Sequence, residues 1–295
     1  MYFPTANIDI QPWLPPLVAF GISFCTSMGG ISGAFLLLPF QVSYLGFDTP
    51  SVSATNHIFN LIAIPSGVYR YIREGRMVWP LTWAVILGTL PGVLVGAVIR
   101  TRYLLDPTSF KHFIALVLLY IGIRLLKNTL KTTQDQIENN HPVEENDIVD
   151  NTWFNIKSLG FSFRKQVYQV PTQPVMLLSL TVGLIGGIYG IGGGALIAPF
   201  FVSFFGLPIY TVAGAALMGT MITSFAGVLF FHIIAVFFPE AAIAPDWGLG
   251  LLFGLGGSAG MYCGARVQRF IPARLIQIIL TCSILFIALR YLHII

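Results

Sequence analysis

Residues 189–200 read YGIGGGALIAPF and lie inside a long apolar run. Residues 29–40, which lie 160 positions earlier, read GGISGAFLLLPF and share six residues with that stretch, including the glycine pair Gly30 and Gly190. A glycine cluster followed by a proline disfavours a continuous helix. Two interrupted apolar segments in corresponding places of two halves point to a transport site.

The composition places the chain in a membrane. Of its 295 residues, 55% are hydrophobic and 9% are charged, whereas a soluble domain carries about 25% charged residues. The net charge of +4 comes from cations at the ends of apolar runs, which favours membrane orientation over nucleic-acid binding. Three cysteines without a close pair (Cys25, Cys263 and Cys282) argue against a disulfide framework and a metal site. No cofactor is expected, and residues 1–16 lack the basic region of a cleavable signal peptide.

Eight apolar runs approach the length of about 20 residues that a membrane-spanning helix needs. They cover residues 15–45, 51–70, 79–99, 109–127, 173–204, 209–238, 247–266 and 273–294. The first and fifth are too long for one straight span and contain the glycine clusters, so we interpret them as broken helices or short re-entrant pairs. The prediction is an all-α integral membrane protein of about eight transmembrane segments, arranged as two homologous four-segment repeats with broken first helices.

The repeats divide the chain into three regions. Residues 1–127 form the first transmembrane repeat, residues 128–172 a polar linker and residues 173–295 the second repeat. The linker carries six of the twelve acidic residues, and we expect it to be partly disordered up to Asp150, with its aromatic and basic residues along the membrane surface. An even number of membrane crossings in each half would make the repeats parallel. If the broken segment of each half is re-entrant, the repeats become inverted, and the sequence is compatible with both arrangements.

Two glycine stripes repeat at a spacing of four residues, namely Gly88-Gly92-Gly96 and Gly256-Gly260-Gly264. This spacing puts glycines on one helix face, where another backbone can approach closely. We therefore predict that the stripes pack helices together.

The basic residues give a modest orientation signal. Arg70, Arg73 and Arg76, with the basic residues of the linker, fall on one side if all eight runs cross the membrane, and the positive-inside rule makes that side cytoplasmic. The basic residues that would then fall on the opposite side are Arg100, Arg102, Lys111, Arg266, Arg269 and Arg274. Arg70 and Arg73 follow the polar residues of the second run by several helical turns, so we interpret them as gating or anchoring residues.

Every Asp and Glu falls in a loop or at the end of a run, and no catalytic motif is present, so the sequence argues against an enzyme. The second run instead carries Asn56, His57 and Asn60, of which the two asparagines share a helix face. The second half offers Thr220 and Thr223. Buried amides and an imidazole are unfavourable unless paired. They either line a substrate cavity or form structural hydrogen bonds between helices.

The glycine clusters favour an anionic ligand. A helix broken at glycines exposes backbone N–H groups, which carry the positive end of the helix dipole. We expect Gly30, Gly33, Gly192 and Gly193 to present their backbone to one anion, although glycines can also simply allow tight helix crossing. Together with amide and hydroxyl donors, such a cavity suits sulfite, a sulfonate or a carboxylate.

These features resemble the sulfite exporter TauE/SafE family of transporters. The resemblance rests on the block at 190–199 and its copy at 29–40, on Ala54-Thr55-Asn56, on Gly67-Val68-Tyr69-Arg70-Tyr71 and on the glycines of Gly88–Gly96. It implies a multi-pass protein of the inner or plasma membrane that exports sulfite, sulfoacetate or related organosulfur anions. Ser32 and Ala34 depart from the pattern, since the second half has Gly192 and Gly194 at these places.

The sequence and this resemblance together predict a secondary carrier of small sulfur-containing anions such as sulfite or organosulfonates, and the resemblance implies that it works as an exporter.

 An anion channel, or a carrier for another small organic anion, is the alternative. The expected partners are the anion and membrane lipids, with no nucleic acid, and a homodimer is compatible with the sequence.

Overall fold

The computed structural model describes residues 1–104, 106–130, 147–237 and 242–292. Ten α-helices account for most of them. In the first half these are α1 (Leu14–Met28), α2 (Ala34–Ser43), α3 (Ser51–Arg73), α4 (Trp79–Tyr103) and α5 (Pro107–Leu130). In the second half they are α6 (Thr172–Tyr189), α7 (Ile197–Phe205), α8 (Ile209–Phe237), α9 (Trp247–Val267) and α10 (Ala273–Tyr291).

Both long runs break at their glycine clusters, as predicted. The first break separates α1 from α2 at residues 29–33, where Gly30 has a φ of 68°. The second separates α6 from α7 at residues 190–196, where the φ angles of Gly190 and Gly192 are 79° and 90°. Side chains other than glycine rarely adopt such angles. The prolines of the two blocks do not cause the breaks, since Pro39 lies inside α2 and Pro199 in the first turn of α7.

The glycine stripes pack helices of opposite halves against each other. A Cβ atom added to Gly256, Gly260 or Gly264 of α9 would lie 1.9–2.3 Å from an atom of α1, and the contacted residues advance from Pro16 to Ser27. The residue numbers rise together, so α1 and α9 run in the same direction. The stripe of α4 meets the backbone of α6 in the same way. The prediction that the stripes serve packing is confirmed.

The central helices α3 and α8 run in opposite directions. His57 of α3 contacts Gly227 of α8, whereas Tyr71, further along α3, contacts Gly214, nearer the beginning of α8. By contrast, α3 runs parallel to α9, because Ile58 and Ile62 contact Gly250 and Gly254 in turn. The direction of α3 is therefore the same as that of α9 and opposite to that of α8.

Five of the described helices are long and apolar enough to cross a membrane: α4, α5, α6, α8 and α10. Fewer helices qualify than the eight predicted runs. The helices α1 and α2 are too short, because the glycine break divides their run. The helix α3 is long enough but carries the polar cluster, which lowers its mean hydropathy. The structure is thus a helical membrane protein, in agreement with the predicted class.

The linker contains a sheet that the sequence analysis does not predict. Strands β3 (Asp150–Phe154), β4 (Ser158–Phe163) and β5 (Gln166–Pro171) form an antiparallel sheet in the order β3-β4-β5. Its central strand buries Leu159, Phe161 and Phe163, so these aromatic residues belong to a folded unit. Most of the segment expected to be disordered, residues 131–146, lies outside the described residues.

Two short strands begin the chain, β1 (Tyr2–Phe3) and β2 (Ile8–Asp9), which pair antiparallel. Phe3 approaches Gly248 at the beginning of α9. At the other end of α9, Gln268 donates a hydrogen bond to the carbonyl of Met28. We call the end of the molecule at Phe3 and Gly248 the amino-terminal face, and the end at Gln268 the arginine face, because Arg76 also bonds to Gln268 there.

Candidate substrate site

Asn60 joins the two breaks at the centre of the molecule. Its Nδ2 donates to the carbonyl oxygen of Ile191 at 2.8 Å and to Oγ of Ser224 at 2.9 Å. Its Oδ1 accepts a hydrogen bond from Oγ of Ser32. One side chain of α3 thus contacts the first break, the second break and α8. Asn60 is fully buried, and both its amide nitrogen and its amide oxygen are engaged in these hydrogen bonds.

The threonines of α8 contact the second break. Oγ1 of Thr223 accepts a hydrogen bond of 2.9 Å from the backbone N–H of Gly193 and donates to the carbonyl of Gly219. Oγ1 of Thr220 donates to the carbonyl of Ala216 at 2.8 Å. Both hydroxyls are buried, and their protons are used within α8. They could therefore accept hydrogen bonds but have no free proton to donate to an anion.

Asn56 and His57 differ from Asn60, although they lie one turn away on the same helix. Both side chains are fully buried, and none of their polar nitrogen and oxygen atoms has a hydrogen-bond partner among the described residues. The His57 ring packs against Gly227 and lies 5.7 Å from the ring of Phe231, centroid to centroid. Buried polar groups of this kind normally have a partner. These two side chains are therefore the sequence-predicted residues with donors available for a ligand.

The four predicted backbone donors separate into two groups. The N–H of Gly30 donates to the carbonyl of Ser27, and that of Gly193 to Thr223. Within the described part of the chain, the N–H groups of Gly33 and Gly192 have no recorded acceptor. Gly30 instead serves a close approach, since its added Cβ would lie 2.5 Å from Cα of Ala213. Gly33 and Gly192 are the predicted glycines whose N–H groups have no acceptor among the described residues.

The structure adds three serines to the predicted site. Ser32 and Ser224 hold Asn60, as described above, and Ser53 touches Gly190, whose added Cβ would lie 2.2 Å from Oγ of Ser53. That hydroxyl is buried without a partner in the described part of the structure. Ser53 precedes Asn56 and His57 by three and four positions, so helical spacing places it on their face. That spacing is the signal in the sequence that could have identified it.

An acid lies at the edge of this region. Asp246 is 5% exposed, and its backbone N–H donates to Oγ1 of Thr55 at 2.9 Å. Its carboxylate accepts the N–H of Leu249 at 2.9 Å and so caps the beginning of α9. In the sequence this acid falls in a loop, and the fold brings it next to α3. Its carboxylate is engaged in capping, which suits a structural role.

Arg70 and Arg73 lie away from this cluster, at the arginine face. Arg70 forms an ion pair with Glu74 and lies over the ring of Tyr262 at 5.4 Å. Arg73 is exposed. Ten residues of helix separate Asn60 from Arg70, which corresponds to about 15 Å. Neither arginine therefore reaches the polar cluster in this structure.

The family model for the sulfite exporter TauE/SafE matches residues 16–291 of the 295-residue chain. The chain belongs to the sulfite exporter TauE/SafE family. The match covers both breaks and all ten helices except the first two residues of α1, and it confirms the resemblance drawn from the glycine blocks. No curated protein and no solved structure matches the chain significantly.

Membership of the TauE/SafE family indicates a transporter of the sulfite and anion exporter type. Together with the five long apolar helices, it indicates a multi-pass membrane protein. It also agrees with the argument against an enzyme, since the family consists of transporters.

Proposed function

We propose that this chain is a secondary carrier that exports small sulfur-containing anions, such as sulfite or an organosulfonate like sulfoacetate, across the plasma membrane. The observation that carries the proposal is the set of unpaired donors beside the two breaks. The Asn56 amide and the His57 ring are fully buried without partners, and the N–H groups of Gly33 and Gly192 have no recorded acceptor within the described residues. An oxyanion can accept hydrogen bonds from such donors.

The chemistry of the cluster favours an anion over a cation. Amide, imidazole and backbone N–H groups donate hydrogen bonds, and an anion at a helix break also benefits from the positive ends of the helix dipoles. A sulfonate has three oxygen acceptors, so it can accept hydrogen bonds from several donors at once, which a single carbonyl group cannot do to the same extent. In this proposal Asn56, His57, Gly33 and Gly192 bind the substrate, while Asn60, Thr220 and Thr223 position the breaks.

The helix directions support an inverted repeat. The counterparts α3 and α8 point in opposite directions, and α1 packs on α9 as α6 packs on α4. We infer that residues 1–127 and 173–295 are inverted repeats, each with a re-entrant pair and three further helices. Many secondary carriers place discontinuous helices at such a repeat interface and move one half against the other around the site.

The arginine face is proposed to be cytoplasmic. Inversion places Arg266 and Arg269 on the same face as Arg70, Arg73 and Arg76, where all five line one cavity. The expectation that the two groups lie on opposite sides is therefore wrong, because it assumed eight crossings in sequence. Arg164 of the linker also lies there, since its partner Asp147 lines the same cavity. The positive-inside rule then assigns this face to the cytoplasm.

Transport by reconstituted protein tests the proposal. Proteoliposomes loaded with sulfoacetate should show saturable efflux and counterflow, and Asn56→Ala or His57→Gln should reduce the rate at least tenfold while the melting temperature changes little. Thr181→Val is the matched control, because Thr181 is exposed on α6 and donates only to a carbonyl of its own helix. Flux that rises linearly without saturation would instead identify a channel. Equal flux in the Asn56 variant and the control would contradict the proposed site.

A further inference from the structure

A polar cavity of about 630 Å³ opens at the arginine face. Five arginines line it, namely Arg70, Arg73, Arg76, Arg266 and Arg269. The acids in its lining are Glu74 and Asp147, which leaves a net charge of +3. Such a concentration of cations in one concave site attracts anions and raises their local concentration.

The buried part of the cavity is held in a fixed geometry. Glu74 forms ion pairs with both Arg70 and Arg76. Arg76 is 1% exposed, donates to Oε1 of Gln268 at 2.6 Å and lies over the ring of Tyr71. The two guanidinium groups thus share a single carboxylate, which neutralises only one of their two positive charges.

Several donors of these arginines have no partner in the part of the chain that the structure describes. The Nε atoms of Arg70, Arg76 and Arg269 are buried and make no hydrogen bond with a described residue. Arg73 and Arg266, which are exposed, form no ion pair within the described part of the chain. Buried guanidinium donors without acceptors are unfavourable unless a ligand supplies the acceptors.

The arginines approach the cavity from two elements. Arg70, Arg73 and Arg76 lie at the end of α3 and in the turn after it, whereas Arg266 and Arg269 lie at the end of α9 and in the short helix Gln268–Phe270. A ligand with an oxyanion at each end could therefore contact cations of both elements. The volume equals on the order of twenty water molecules at about 30 Å³ each, which leaves room for such a ligand.

We propose that this cavity is a second anion-binding site, separate from the polar cluster at the breaks, and that it takes a ligand with two oxyanion groups. Guanidinium groups bind sulfonate, carboxylate and phosphate in a bidentate manner. The ligand is either a free organic dianion or a lipid headgroup with two phosphates. This proposal rests on the proposed function only in the choice of a sulfonate as ligand. The positive charge of the site comes from the arginines of the cavity lining.

The test uses the full chain in nanodiscs of zwitterionic phospholipid, titrated calorimetrically with sulfoacetate, which carries one sulfonate and one carboxylate. The double variant Arg266→Gln/Arg269→Gln should weaken binding at this site at least tenfold, because it removes two charged hydrogen-bond donors from the cavity lining. Arg290→Gln is the control, since it removes an exposed arginine from the last turn of α10, away from the cavity lining. A melting curve checks that each variant is folded.

A second arm adds a lipid with two phosphates to the nanodiscs. If the headgroup is the ligand, that lipid should raise the melting temperature of the unsubstituted protein and of Arg290→Gln, but not of the double variant, and should compete with sulfoacetate. If a free dianion is the ligand, the lipid should leave sulfoacetate binding unchanged. Identical behaviour of the double variant and the control towards both ligands would overturn the site.

The two proposals fail in different ways. Absence of saturable flux in proteoliposomes, with binding still lost in the double variant, would refute the carrier and retain the cavity as an anion site. Saturable flux that depends on Asn56, with no difference between the double variant and Arg290→Gln in binding, would retain the carrier and refute the cavity.

Discussion

At the scale of single residues, two asparagines of one helix have different environments. Asn56 and Asn60 are four positions apart on α3 and share a face, so the sequence predicts similar roles. In the structure Asn60 bonds to Ser32, Ile191 and Ser224, whereas the Asn56 amide has no partner among the described residues. Spacing along a helix sets the face, but the atoms opposite each residue come from distant parts of the chain.

This difference predicts opposite outcomes for two equivalent truncations. Asn60→Ala leaves the Ile191 carbonyl and the Ser32 and Ser224 hydroxyls without that partner, which should destabilise the protein by about 1–3 kcal/mol. Asn56→Ala removes an amide that bonds to no described residue and should change stability much less while weakening anion binding. Melting temperatures of both variants, measured in the same detergent without ligand, provide the check. A lower melting temperature for Asn56→Ala than for Asn60→Ala would contradict this assignment.

Position 192 requires glycine for two reasons, its positive φ angle and the close approach of α8, and the effects of the two can be measured separately. Its φ is 90°, and an added Cβ would lie 2.8 Å from Oγ of Ser224 and from Cγ2 of Thr220. Gly206 also has a positive φ, 65°, but no atom lies within 4 Å of its added Cβ. Both Gly192→Ala and Gly206→Ala should lose about 1–2 kcal/mol through the backbone angle. Only Gly192→Ala should also reduce sulfoacetate efflux, because it displaces the second break from α8. Equal efflux by the two variants would argue against this role.

At the scale of secondary-structure elements, the close contacts between halves depend on the glycine stripes. The spacing of four residues predicts a packing face, and the structure supplies the partner, α1 for the stripe of α9 and α6 for that of α4. The sequence does not predict this exchange between halves. A glycine face is complementary to any smooth helix surface, so its partner depends on the arrangement of all the helices.

A substitution in the stripe should separate the two helices. The Cβ of Gly260→Ala would lie 2.3 Å from the backbone oxygen of Phe20, and a backbone atom cannot rotate away. Overpacking of this kind destabilises by about 1–3 kcal/mol. Gly21→Ala in α1 is the control, since nothing lies within 4 Å of its added Cβ and alanine is favoured in a helix by up to about 1 kcal/mol. Thermal unfolding should show a lower melting temperature for Gly260→Ala and no decrease for Gly21→Ala. If both variants melt at the same temperature, the stripe is not a tight contact.

The composition of the linker does not predict its sheet. The acids and asparagines of residues 128–150 dominate the linker, and they suggest disorder. The strands β4 and β5 pair over six residues in continuous register, from Ser158 with Pro171 to Phe163 with Gln166. Their aromatic residues pack against one another, as Phe161 does on Tyr168. Averaging composition over the whole linker hides this short, locally apolar segment.

At the scale of the whole molecule, the proposed inversion places the linker sheet and the amino terminus on opposite faces. Val149 donates its N–H to the carbonyl of Gly75 at 2.8 Å, which attaches the linker to the arginine face. The hairpin at the amino terminus lies instead at Gly248. In the proposed orientation, charge asymmetry assigns the arginine face to the cytoplasm.

Cysteine accessibility tests this orientation. In a chain whose three native cysteines are replaced, Gln11→Cys and Lys165→Cys introduce thiols at exposed positions of the two faces. A membrane-impermeant maleimide applied to intact cells should label Gln11→Cys and leave Lys165→Cys unmodified until the membrane is opened. Labelling of both positions in intact cells would contradict the inverted arrangement. Labelling of Lys165→Cys alone would reverse the assignment of the cytoplasmic face.

The sequence by itself determined the membrane class, the two breaks, the packing stripes and the family, because each depends on local composition or spacing. Apolar length, glycine clusters and a four-residue period act over at most one helix. Only the tertiary structure decided that Asn60 joins the breaks, while Asn56 and His57 have no hydrogen-bond partner among the described residues. It also brought Arg266 and Arg269 to the same cavity as Arg70, Arg73 and Arg76. These outcomes depend on the direction in which distant helices run past one another, and that direction is fixed by the packing of all helices together.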